Sequence, residues 1–207
     1  MTTHSITSGI MPSDYDRYHT HHRSRRHPEW DYTQSAAYFV TICTHDRMHL
    51  FGRVVDGQMR CNAFGRVATA EWDRSETLRD EVHLDAFVVM PNHIHGIVVI
   101  VPLDADGSID PQGYQCHVAT QRAASLPVDD GGRVNIQPKS LGAFVRAYKS
   151  AVTRRINQMR GTPGETVWQR NYHDHIIRTE RRWHRIRQYI QTNPARWTDD
   201  TFYSTDR

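Results

Sequence analysis

No stretch of this chain is apolar for the roughly 20 residues that a membrane-spanning helix needs, so no membrane partner is expected. The first residues hold no apolar core of the kind that marks a secretory signal, and none is expected. Cysteine is scarce. Cys43, Cys61 and Cys116 are odd in number and widely spaced, which fits neither a zinc ribbon nor a disulfide framework. That usage fits a reducing cytoplasm, and a cytoplasmic location is the expectation. No Ser-His-Asp order stands out, which argues against a metal-independent hydrolase. Apolar residues make up only 38% of the 207, so exposed segments are expected beyond a core large enough for one domain.

Histidine, by contrast, is abundant, with fourteen copies. Two of them stand in Met90-Pro91-Asn92-His93-Ile94-His95-Gly96, between the runs Phe87-Val88-Val89-Met90 and Ile97-Val98-Val99-Ile100-Val101. Both runs are too short for buried helices and rich in β-branched residues, so they read as strands joined by a turn at Pro91-Asn92. Side chains alternate along a strand, which puts His93 and His95 on one face, about 6.5 Å apart by rise, and turns Ile94 into the core. Two imidazoles so placed can converge on one divalent metal. The triplet alone is a weak signal in so His-rich a chain.

Charge is unevenly spread. Residues 139–188 carry twelve Lys or Arg against three acids, with Trp168, Tyr172, Trp183 and Tyr189 interleaved. The segment from Glu71 to Asp85 is acidic instead. A basic half studded with aromatics is the electrostatic footprint of a nucleic-acid surface.

In chain order, residues 1–30 are rich in His and Arg and poor in aliphatics, which reads as a flexible basic arm. Ala37–Thr44 is a first strand, and Phe51–Met59 a short hairpin turning at Asp56-Gly57. A helix capped by Asn62 runs to about Leu78. The strand pair around the His motif follows. Residues 103–137 lack periodicity and read as an inserted loop. Ser140 caps a helix from Leu141 to about Gln158, and Val167–Gln169 with Tyr172–Ile177 reads as a last strand. Thr179 caps a final helix that ends at Pro194, with Trp183, Ile186 and Ile190 inward and Tyr189 and Asn193 sharing another face. This order is that of an α+β, ferredoxin-like antiparallel sheet with helices on one face, plus a C-terminal helix carrying Tyr189. The aromatic pattern of RNA-binding ferredoxin-like domains is absent.

The His motif resembles the HUH (His-hydrophobic-His) motif of the single-tyrosine transposases, in the form carried by REP-associated tyrosine transposases. The resemblance extends to Asp31-Tyr32-Thr33-Gln34 with Tyr38–Thr44, to Leu50-Phe51-Gly52, to Lys149–Thr153, to Val167–Tyr172, and to Tyr189-Ile190 with Asn193-Pro194. It spans residues 31–198, leaving a tail at 199–207. The ordered set of blocks is specific where the triplet is not.

The resemblance implies a metal-dependent nuclease that cuts and rejoins single-stranded or hairpin DNA through a 5′-phosphotyrosine. It implies Tyr189 as nucleophile, with Tyr172 as the alternative. His93, His95 and Asn193 become the expected ligands of Mg or Mn. Arg146, Lys149, Arg154 and Arg155 on one helix, and Arg178, Arg182 and Arg185 at the last, become the expected DNA contacts. Relatives of this branch act as monomers, which sets the expectation here. A domesticated, non-catalytic DNA-binding protein on the same fold is the alternative.

Overall fold

The computed structural model describes residues 35–101 and 139–203. The arm 1–30, the block Asp31–Gln34 and the 103–137 stretch lie outside the described residues.

Alternation writes the first strand, β1 (Ala36–Cys43), into two cores at once. Tyr38, Val40 and Ile42 face one side, and Ala37 and Phe39 the other. A hairpin of β2 (Gly52–Val55) and β3 (Gln58–Cys61) follows, its turn supplied by left-handed Asp56 and Gly57. Helix α1 (Ala63–Thr77) starts where Asn62 Oδ1 accepts the amides of Phe64 and Gly65, a cap worth about 1 kcal/mol. Strands β4 (Val82–Val89) and β5 (His93–Ile100), helix α2 (Leu141–Arg160), strand β6 (His173–Ile177) and helix α3 (Glu180–Thr192) complete the order. Ser140 and Thr179 cap α2 and α3 through their hydroxyls. A 3₁₀ turn, Pro194–Asp199, closes the described chain.

The main sheet runs β4-β5-β1-β6, antiparallel throughout. This is the expected α+β ferredoxin-like arrangement. Helices α1 and α2 cover one face, where Trp72, Phe144, Val145, Tyr148 and Val152 meet Tyr38, Val40, Ile42, Ile94 and Val98. Each such large apolar side chain contributes roughly 1.5–3 kcal/mol on burial. Helix α3 lies on the opposite face, packing Ile190, with Trp183, Ile186 and Tyr189, on Ala37, Phe39, Ile97 and Ile177. Strand β5 obeys the same alternation. Ile94, Val98 and Ile100 join the α1–α2 core, and Ile97 joins the α3 core.

Two boundaries differ from the sequence reading. Strand β4 begins at Val82, five residues before the apolar run, because Val82, His83 and Leu84 pair with β5 ahead of a bulge that takes in Asp85 and Ala86. The last strand holds only His173–Ile177, since Trp168 forms only an isolated bridge with Thr44, just past the end of β1.

Candidate active site

The two imidazoles stand at the first and third residues of β5, on the α3 face, in the row of Cys43 and Thr41 of β1. Both rings are 0% exposed. Each is held by its Nδ1. His93 Nδ1 lies 2.8 Å from Asn92 Oδ1, and Asn92 spends its own amide hydrogen on the carbonyl of Phe202 at 2.9 Å. A carbonyl oxygen only accepts, so His93 carries its proton on Nδ1 and leaves the Nε2 lone pair free. His95 Nδ1 lies 2.8 Å from Thr41 Oγ1, a hydroxyl able to donate or accept. Both Nε2 atoms are therefore turned inward, 3.0 Å apart. Burial drives the His93 pKa well below the usual 6.5, reinforced by His95 and Arg47, so His93 stays neutral and able to ligate.

Two oxygen groups close on this pair. Tyr189, from the inner side of α3, puts its hydroxyl 3.3 Å from His95 Nε2 and donates to Asp200 Oδ2 at 3.2 Å. Asp200 also accepts from Asn193 Nδ2 at 2.6 Å and from the Phe202 amide at 2.7 Å, and its Oδ2 is 4.0 Å from His95 Nε2. His93, His95 and Asp200 offer ligand atoms that all lie within 4.8 Å of one another. Asn193 Oδ1 is buried with no hydrogen-bond partner, an orphaned acceptor of the sort that a bound ion satisfies. Two imidazoles with a carboxylate and an amide oxygen could hold a divalent metal. Phe202 packs against both rings, tilted to His93 at a centroid distance of 4.8 Å and edge-on to His95 at 5.9 Å. Cys43 faces the same side beside His93. Burial pushes its pKa up to about 12, which keeps it a thiol and a poor ligand.

The structure brings four of the residues named from sequence together: His93, His95, Tyr189 and Asn193. Tyr172 is elsewhere, half-buried against the core beneath α1 and α2, on the other side of the sheet. The basic residues divide. Arg182 and Arg185 are exposed on α3, three and four residues apart along the face that holds Tyr189, and Arg178 is exposed just before that helix. Arg146, Lys149, Arg154 and Arg155 belong to α2, across the sheet from the imidazoles. Arg155 pairs with buried Glu71 at 2.7 Å. Lys149 donates to the carbonyls of Gln169 and Arg170, at 2.6 and 3.1 Å, and burial lowers its pKa to about 8.

Asp200 and Phe202 are not among the residues the sequence points to, and both fall in the stretch expected to be a tail. The only available signal was the acidic pair Asp199-Asp200 after a strongly basic helix.

These features define an antiparallel α+β domain with two histidines and a tyrosine converging on one face. The same fold occurs in a REP-associated tyrosine transposase solved with a REP hairpin, which aligns at a TM-score of 0.52 and 15% identity over 86% of this chain and 74% of that one. The chain is similar in fold to a REP-associated tyrosine transposase, as the sequence resemblance implies. No protein-family model matches it. A Haemophilus influenzae protein, described only as uncharacterized, is 34% identical over 194 residues, covering 93% of this chain and 99% of that protein. The chain belongs to the same family as that H. influenzae protein.

Proposed function

We propose that the chain is a transposase-like, metal-dependent single-stranded DNA endonuclease and strand transferase, acting at hairpin-forming repeat elements through a covalent 5′-phosphotyrosine. The observation that carries this reading is the Tyr189 hydroxyl, 3.3 Å from a buried imidazole whose neighbour's nitrogen points at the same spot. A phenol, with a pKa near 10, is a weak nucleophile at neutral pH and needs help on both sides of the reaction. Asp200 Oδ2 accepts the Tyr189 hydrogen bond and so orients the phenol oxygen, whose proton passes to solvent as it attacks phosphorus. The new O–P bond replaces the bond to the 3′-oxygen, which leaves and takes a proton from solvent. Rejoining runs the exchange backwards, so the phosphotyrosine conserves the bond energy and no nucleotide cofactor is required.

His93 and His95, with Asp200 and Asn193 as the oxygen donors, are the residues that would hold Mg or Mn. Such an ion, when bound, would polarise the scissile phosphate and offset its developing charge. Arg182 and Arg185 lead along α3 to Tyr189 and are suited to the backbone of the incoming strand. Both imidazoles are buried, with Phe202, Trp197 and Tyr189 packed against them, so a phosphate reaches them only after part of this cover moves.

Phe202 also favours a second reading, a non-catalytic DNA-binding protein whose covered site stays idle. The test is incubation of the full chain with labelled hairpin-bearing single-stranded DNA and Mn, followed by denaturing electrophoresis. A protein-linked band supports the nuclease. Tight binding without such a band supports the second reading.

A further inference from the structure

The β2–β3 hairpin carries an electrostatic conflict that no carboxylate among the described residues resolves. Its register sets Arg53 directly opposite Arg60. Both are exposed, while Met59 and Cys61 of the same hairpin pack against the main core. Directly opposed residues have their Cβ atoms about 4.5–5.5 Å apart, and like charges so placed destabilise the pair. Among the described residues no carboxylate pairs with either guanidinium, including the hairpin's own Asp56 in the turn. Arg66, near the start of α1, reaches back to donate to the carbonyl of Cys61 at 3.2 Å, which brings a third guanidinium to the foot of the hairpin.

The hairpin stands at the imidazole end of the sheet. Phe51, which leads into it, donates its amide to the carbonyl of Pro91 at 3.1 Å, two residues from His93. The turn residue Gly57 lies against Ala195, just past Asn193. His49 packs on Trp197 at 5.7 Å, and Trp197 on His93 at 5.9 Å.

We propose that Arg53 and Arg60, assisted by Arg66, form a phosphate clamp that grips the DNA backbone outside the cleaved linkage. Each guanidinium presents five N–H donors in a planar fork, and a phosphodiester between two of them removes their repulsion while satisfying those donors. The contact is to backbone, so it sets register and affinity without reading sequence. The proposal rests on the DNA-processing reading above.

The test compares the full wild-type chain with Arg53→Ala/Arg60→Ala and with Arg53→Lys/Arg60→Lys. Fluorescence anisotropy on a labelled DNA hairpin with a single-stranded flank is run at several salt concentrations, alongside thermal melts of the free proteins. The alanine pair should weaken binding about tenfold and flatten the dependence of log affinity on log salt by about 1–2. Its melting temperature without DNA should hold or rise, since the opposed charges are gone. The lysine pair should retain most of the salt slope. Wild-type binding with an unchanged alanine pair overturns the clamp and leaves the DNA reading standing. Lost binding with an equal loss of melting temperature makes the arginines structural and overturns it too. A wild-type chain that binds no DNA, or prefers an RNA hairpin of the same sequence, sinks the DNA reading and the clamp together.

Discussion

Gly96 follows the second histidine of the motif and faces away from it, toward α1. A Cβ at this position would run into Trp72 Cζ2, stand 2.5 Å from Trp72 Cη2 and lie 3.3 Å from Phe87 Cδ2. Trp72 has no room to retreat. It stacks on Phe87 at 4.4 Å and meets Phe144 and Tyr148 edge-on at 5.4 Å each, and it is 1% exposed. Overpacking a locked core by one methyl costs typically 1–3 kcal/mol, and the rigid ring puts Gly96→Ala near the top, at about 3. For a domain of this size that is a fall in Tm of roughly 6–12 °C. Urea unfolding with calorimetry measures both quantities. Trp72→Phe should relieve part of the clash, so the double variant should be more stable than the sum of the single losses predicts, by at least about 0.5 kcal/mol. A Gly96→Ala loss below about 0.5 kcal/mol, or strict additivity, would refute the close approach of α1 to β5.

Other outcomes follow from the site. His93 is held neutral, with its folded pKa below the unfolded 6.5, so the unfolded chain binds the extra proton first. Metal-free stability should therefore fall as pH drops below about 6.5, by up to about 1.4 kcal/mol per pH unit, and His93→Gln should flatten the curve between pH 6.5 and 5.5. A curve that stays parallel to wild type would place the pH dependence elsewhere. His93→Ala and His95→Ala should abolish cleavage and leave substantial DNA binding, since the basic residues are spread over other elements. Lost binding with cleavage per bound complex intact would argue against a metal role. Asp200→Ala should weaken Mn binding at least tenfold by titration calorimetry, and unchanged affinity would remove Asp200 from the ligand set.

The legible parts of this molecule are those that local chemistry determines. Asn62 caps α1, Thr179 caps α3, and period-2 alternation puts His93 and His95 on one face, all from near neighbours in the chain. The ferredoxin-like order came from counting strong elements, and β4 lost its first half because His83 and Asp85 break the apolar pattern there. What sequence alone could not show is contact over distance. Asn92 meets Phe202 across 110 positions, and the acidic pair Asp199-Asp200 after Pro194 does not by itself announce that Asp200 will bond the tyrosine. The same limit applies to the arginines. Arg155 and Arg182 look alike on a helix until the fold brings one to buried Glu71 and sets the other two turns before Tyr189 on the same helix.

The account turns on Tyr189 as the attacking group. The most direct measurement is denaturing electrophoresis of the chain after incubation with labelled hairpin DNA and Mn, comparing wild type, Tyr189→Phe and Tyr172→Phe. The account predicts a covalent protein–DNA band that EDTA removes, that Tyr189→Phe lacks and that Tyr172→Phe keeps. A band that survives Tyr189→Phe, or none from wild type on DNA it demonstrably binds, would contradict it.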